Sequence, residues 1–263
     1  MASSTKRITL SHKDKLKLKE RFAKCKEIEQ QNQPANYKNK VVIKPWGHEF
    51  LIFENENVAI WLLYIKKDHS TSMHSHPMKR TSLVLLSGNA LCNTFRYRNF
   101  LSAGEAVIIE AAVFHGTKAL SLEGIHLLEI EAPPDKLDLV RLEDNYGRRD
   151  TSFEGINQMA TENLQGFNYF YFENDNCLGK KYGVGPNCSV SMEFFKSDSE
   201  FKRNFTISKS SIYCVCKGTL LEAEGSIAVD TGETESGTYL EGLEGLKIDS
   251  ETLFMKIELN KTL

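Results

Sequence analysis

Short apolar or alternating runs dominate the chain from Val41 onward. Phe50–Phe53, Val58–Ile65, Ser82–Leu86, Ala106–Ile109, His126–Ile130, Tyr169–Phe172, Ser189–Phe195, Ser211–Cys216 and Thr252–Leu259 are separated by Gly, Asn, Asp and Ser. Alternation with a period of two buries one face of a strand, and runs this short suit strands better than helices. The pattern predicts an all-β sandwich or barrel. The exception is N-terminal. Ser11 can cap a helix, Asp14 stands three residues later, and Leu18, Phe22 and Cys25 recur at spacings of four and three. Residues 11–31 therefore read as a helix, although Lys15-Leu16-Lys17-Leu18-Lys19 also alternates like a strand. Gln30 to Lys40 is polar, carries Pro34 and reads as a linker.

The β region repeats itself. Thr81-Ser-Leu-Val-Leu-Leu-Ser-Gly88 resembles Ser211-Ile-Tyr-Cys-Val-Cys-Lys-Gly218, Leu101-Ser-Ala-Gly104-Glu105 resembles Val229-Asp-Thr-Gly232-Glu233, and Ile125–Glu131 resembles Thr252–Glu258. Three matched blocks in one order imply two β domains of like architecture. A length of 263 residues accommodates both behind the N-terminal segment. The expected division is a basic helix and linker over 1–40, one domain over 41–150 and a second over 151–263.

Composition excludes some classes. No apolar run approaches the ~18 residues a membrane span needs, and no apolar leader follows Met1. A cytoplasmic protein is expected. Residues 1–40 carry 11 Lys+Arg against 4 Asp+Glu, a net of +7; the remainder carries 22 against 31, a net of −9. A basic end can meet nucleic acid or a membrane surface, or it can be a solvated helix face docked on the acidic body. No base-reading motif accompanies it, so a nucleic-acid partner is not expected. The six cysteines form no C-x-x-C pair and read as small buried hydrophobes.

All seven histidines lie within the first 126 residues. In His74-Ser75-His76 the two imidazoles sit at i and i+2, so a strand would point both to one face. His115 can add a third ligand. Neutral imidazole suits Zn, Cu, Fe and Ni, and three protein ligands with open positions characterise catalytic metal sites.

The order of these residues resembles the cupin family. His76-x4-Thr81-x6-Gly88 keeps the spacing of the family's first motif, and Gly104-x10-His115 keeps that of its second. The region from 42 to 150 is similar to the cupin part of type II mannose-6-phosphate isomerase and its relatives. The matching pieces are Lys44-Pro45-Trp46-Gly47, Leu85-Leu86-Ser87-Gly88 and Asp138-Leu139-Val140-Arg141 through Arg148. The resemblance implies two tandem double-stranded β-helix (jelly-roll) barrels behind an N-terminal α-helix, with metal inside one mouth. The sequence departs from the family at Thr81, where the metal-binding glutamate is expected. A glycine is likewise expected at Ala112 or Val113. His74, His76 and His115 would then form a three-histidine site for Zn, Fe(II) or Mn, less negative than one with a carboxylate and so favouring anionic ligands and a metal-bound hydroxide.

The function so implied is a metal-dependent cupin acting on a sugar or sugar phosphate by isomerase- or epimerase-type proton transfer, in sugar-nucleotide or surface-polysaccharide metabolism. The alternatives are a three-histidine non-haem iron dioxygenase and a non-catalytic module binding a sugar or small anion. A homodimer is compatible with either.

Other groups have two readings each. Lys79 and Arg80 can meet a phosphate or carboxylate of the substrate, or form a solvated turn. Glu129 and Glu131 share a strand face; one can act as general acid or base, or both can pair with Arg141 or Lys136. His69 can be a fourth ligand or a base. His126 reads as core, Trp46 as a packing anchor, and Tyr146 with Arg148 as ties for the end of the first domain. The second half has lost the ligands. Counting from Gly218 and Gly232 puts Asn204, Thr206 and Leu243 where the histidines would be.

Overall fold

The structure is a computed structural model that describes residues 4–24 and 32–259. The first half is built from β1 (Lys6–Ile8), α1 (His12–Lys24), β2 (Val41–Lys44), β3 (Gly47–Glu54), β4 (Ala59–Ile65), β5 (Met73–Ser75) and β6 (Arg80–Ser87). It continues with β7 (Asn89–Thr94), β8 (Arg98–Ser102), β9 (Ala106–Ile109), β10 (His115–Ala119), β11 (Ile125–Ala132), β12 (Val140–Glu143) and β13 (Met159–Ala160). These strands form an eight-stranded sheet ordered β1-β9-β6-β11-β4-β3-β2-β13 and a five-stranded sheet ordered β12-β5-β10-β7-β8. The two sheets close over one core of Leu51, Trp61, Leu63, Leu83, Leu85 and Leu127 from the larger sheet and Ala90, Cys92, Leu101 and Ala119 from the smaller.

The second half repeats this in reduced form. Strands β14 (Lys181–Val184), β15 (Cys188–Phe195), β16 (Ser211–Lys217), β17 (Leu220–Leu221), β18 (Ile227–Val229), β19 (Thr234–Ser236), β20 (Lys247–Ile248) and β21 (Thr252–Leu259) make sheets of five and three strands. Two short helices, α2 (Asp198–Asn204) and α3 (Gly237–Glu241), flank them.

The sequence repeat is a repeat of hydrogen bonds. Gly104 N–H donates to Leu85 O at 2.8 Å and Gly232 N–H to Val215 O at 2.7 Å. Leu85 N–H and Val215 N–H donate to Glu105 O and Glu233 O at 3.0 and 3.1 Å. Gly88 and Gly218 turn with φ of 80° and 79°, a region glycine enters without penalty. The cross-strand partners agree too: Thr81↔Glu131, Leu83↔Glu129 and Leu85↔Leu127 match Ser211↔Glu258, Tyr213↔Lys256 and Val215↔Phe254.

The outer face of the eight-stranded sheet is as apolar as its inner face. Val84, Leu86, Leu128 and Ile130 pack there against Cys214, Cys216, Met255 and Ile257 of the second half. A sheet buried on both sides explains why Leu83-Val84-Leu85-Leu86 is a continuous apolar run.

Three expectations change. Tyr169–Phe172 is not a strand; it is an irregular strap over β3, with Phe172 N–H donating to Ile52 O at 2.8 Å, and its apolar side chains cover the inter-sheet core. Helix α1 spans His12–Lys24 with Leu18 buried, but Phe22 is exposed and Arg21 lies buried instead, paired with Asp150 at 2.9 Å. The rest of the expected helix, with Cys25, lies outside the described residues. The N-terminal segment also adds an unforeseen strand, β1, parallel to β9. Its charges meet acids of the second half: Arg7 pairs with Glu233 at 2.7 Å, and Thr5 N–H donates to Glu235 at 2.9 Å. Among the described residues no helix is long and apolar enough to cross a membrane.

Candidate metal centre

His74 lies in β5 directly across from His115, the first residue of β10. His76 follows β5. The ring centroids are 4.4 Å apart for His74 and His115, 4.9 Å for His74 and His76, and 5.5 Å for His76 and His115. Each ring is held by its Nδ1 on a backbone carbonyl: His74 on Ser72 O at 2.8 Å, His76 on Asp138 O at 2.6 Å, His115 on Val113 O at 3.1 Å. A carbonyl only accepts, so each Nδ1 carries the proton and each Nε2 presents its lone pair. The Nε2 atoms of His76 and His115 are buried without a hydrogen-bond partner.

Glu129 on β11 completes the group. One ligand atom from each of His74, His76, His115 and Glu129 lies within 4.8 Å of all the others. Glu129 Oε1 stands 3.7 Å from His76 Nε2. Burial, reinforced by the neighbouring imidazoles, pushes His74 well below its ordinary range and His115 down to about 4. Burial alone would raise Glu129, but the neighbouring His76 ring and the charge of Lys136 outweigh it and hold the carboxylate well below its usual range. Three imidazoles anchored through Nδ1 and one carboxylate, with partnerless nitrogens facing inward, fit a divalent cation.

The three histidines come together as expected, and Glu129 joins them as a fourth possible donor, one strand over from Thr81. Leu83 pairs with Glu129 and Thr81 with Glu131, so both acids face the barrel interior with their partners. Thr81 Oγ1 is itself buried and unpartnered. With Glu129 among the donors, the site would be less positive than one of three histidines alone.

The surrounding cavity is small, about 50 Å³, and is charged on its walls. Lys136 stands 3.4 Å from Glu49, 3.2 Å from Glu131 and 4.0 Å from Glu129, over the face of Trp61 at 3.9 Å. These carboxylates raise its ammonium above its ordinary range, although burial alone would lower it. Glu154 gathers Lys44, Arg141 and Arg148, the last at 2.6 Å. Lys136 pairs with Glu131, as one of the two readings has it; Lys44 stands out only within Lys44-Pro45-Trp46-Gly47, and Glu49 does not stand out in the sequence.

The substrate-binding expectation for Lys79 and Arg80 is also corrected. Lys79 is buried against Glu131 at 2.9 Å and is absent from the cavity wall, because its ammonium neutralises that carboxylate from behind. Arg80 turns outward and joins the two halves through Glu233 at 2.7 Å and Thr231 O at 2.6 Å. His69 stays out of the cluster, its Nδ1 on Lys67 O at 2.9 Å and its ring stacked on Tyr146. His126 lies on the outer sheet face against Ser87 and Tyr64. Glu129, expected as an acid–base group, sits among the metal-ligand atoms instead.

In the second half Lys256 occupies the register position of Glu129. Phe195, Phe201, Phe205, Tyr213 and Phe254 stack through its interior, with centroid distances of 4.5 to 6.1 Å. Aromatic rings fill the space that the first barrel leaves for ligands.

Two facing antiparallel sheets with histidines converging from β5 and β10 decide the architecture. The fold is that of a cupin. No family model matches the chain. Mannose-1-phosphate guanylyltransferase of Escherichia coli is 23% identical over 128 residues, 48% of this chain and 27% of that protein. The cupin thus matches about a quarter of that relative's length. The capsular polysaccharide assembling protein CapF of Staphylococcus aureus matches at 15% identity and TM-score 0.35, over 40% of this chain and 34% of that one. A putative sugar phosphate isomerase of Acidithiobacillus ferrooxidans matches at 21% identity and TM-score 0.28, over 30% of this chain and 52% of that one.

Proposed function

We propose that the first barrel is a divalent-metal centre that acts on a sugar or sugar phosphate by proton transfer of the isomerase or epimerase type. The observation that carries the metal reading is the locked tautomer of His74, His76 and His115 around Glu129. The sugar reading draws support from the likeness to the E. coli guanylyltransferase. These four residues would hold the ion, Zn, Fe(II) or Mn, which supplies a Lewis acid that polarises a carbonyl or hydroxyl oxygen. The remaining work falls to the chain. Lys136, kept protonated by Glu49, Glu131 and Glu129, offers a fixed positive charge to a developing oxyanion. Glu131 has one carboxylate oxygen, Oε2, buried and unpartnered; Lys136 and Lys79 hold the group ionised against burial, so that oxygen is the candidate to accept a proton. The segment between β11 and β12 is tied to the site through Asp138 O and His76 Nδ1.

The test is metal analysis of the purified chain together with His74→Ala and His115→Ala. About one divalent ion per chain is expected in the parent and none in either variant. Incubating the metal-loaded chain with a panel of hexose phosphates in D₂O should put deuterium into one of them. A parent that binds no divalent ion, or variants that keep it, would refute the metal reading; a loaded chain that exchanges no proton would refute the reaction.

A further inference from the structure

We infer that Asp14 of the N-terminal helix is a positioning residue for His115, acting on the backbone that carries it. The inference rests on the metal reading above. The loop from Glu110 to Phe114 supplies both the chain entering His115 and, through Val113 O, the acceptor that orients its ring. The N-terminal segment grips this loop at both ends. Ile8 O accepts from Glu110 N–H at 3.0 Å, and Asp14 Oδ1 accepts from Phe114 N–H at 2.9 Å. Asp14 is only 2% exposed, and its other oxygen is held by the backbone N–H of Ser11 at 2.9 Å and by the Ser11 hydroxyl. Leu18, one turn on, packs with Phe114 and Val140.

The loop needs such a grip. Ala112 at its centre has φ of 69°, where the resemblance expects glycine, and its N–H donates to His76 O at 2.7 Å. A left-handed alanine is strained and persists only where its surroundings over-determine it. A buried carboxylate bond to backbone N–H is a strong, directional constraint. The α1 helix, which the charge pattern left without a role, thereby becomes part of the site's support.

Zn²⁺ titration by calorimetry and Co²⁺ visible spectra on the full chain test this. Asp14→Ala should weaken Zn²⁺ binding about tenfold, the lower end of the range for support groups outside the ligand set, and shift the Co²⁺ bands. Asp14→Asn, which keeps an oxygen for Phe114 N–H but sets an amide NH2 against Ser11 N–H, should recover part of both. Leu240→Ala, in the second half's core, should lower Tm and change neither. Asp14→Ala with parental Zn²⁺ affinity and spectrum, whatever its Tm, overturns the inference alone. A parent that binds no Zn²⁺ overturns the metal reading and this inference with it. Should Asp14→Ala fail to fold, Ser11→Ala removes the hydroxyl that helps to hold the other carboxylate oxygen and must weaken Zn²⁺ in the same direction; no change there also overturns it.

Discussion

Glu154→Gln should destabilise the first barrel by about 3 kcal/mol at pH 7. Glu154 is buried between Lys44, Arg141 and Arg148, and the cations draw it down from 4.5 to about 2 even though burial pushes it up. A difference of about 2.5 units at 1.36 kcal/mol per unit is about 3.4 kcal/mol. Removing one partner of a buried ion pair costs about 3–5 kcal/mol, which agrees. Lys44 is pulled below its ordinary range by burial despite two carboxylates beside it. The variant leaves that ammonium buried with Glu49 alone, so nothing offsets the loss. The sign follows from the depressed folded pKa. The stabilisation is present in full above the unfolded value of about 4.5 and is lost as pH falls through that value toward 2. The gap between parent and variant should therefore shrink by about 1.4 kcal/mol for each pH unit below 4.5. Urea denaturation followed by tryptophan fluorescence measures it, since Trp46 and Trp61 are both buried in this barrel. A gap under 1 kcal/mol at pH 7, or one that stays constant from pH 7 to pH 3, would show that the cluster does not hold Glu154 as argued.

Ala112→Gly should raise stability by up to about 1 kcal/mol, because relief of the left-handed strain exceeds glycine's entropic penalty; a lower Tm would contradict the strain. Gly147 and Gly232 share φ of 81° and 82°, but a Cβ on Gly232 would stand 2.3 Å from Ala132 Cβ while one on Gly147 meets nothing within 4 Å. Gly147→Ala should cost about 1–2 kcal/mol and Gly232→Ala about 1–3 kcal/mol more, and equal losses in thermal melts would refute the contact. Leu240→Ala, at a fully buried site, should cost about 2–5 kcal/mol without changing metal content, as metal analysis alongside a melt will read.

The legible part of the site was local. His74 and His76 are two residues apart, and strand geometry alone brings such residues to one side. His115 followed from its distance to Gly104. Glu129 was visible as an acid on a strand but not as a neighbour of the histidines, because its strand lies in the eight-stranded sheet and theirs in the five-stranded one, and they meet only across the barrel. Lys79 and Arg80 misled for the same reason. Adjacent in sequence, they point to opposite faces of one strand, one to Glu131 and one to the second half.

By itself the sequence determined the strand periodicity, the doubling of the architecture, the turns at Gly88, Gly104, Gly218 and Gly232, and the confinement of the histidines to one barrel. These are properties of residues near one another along the chain, where backbone geometry dictates the outcome. The tertiary structure alone decided that Glu129 stands beside the three histidines, that Lys256 takes the equivalent place in the second barrel, and that Asp14 holds the His115 loop. Each depends on which strands and segments lie side by side. That choice is made by burying both faces of the eight-stranded sheet, and no short stretch of sequence records it.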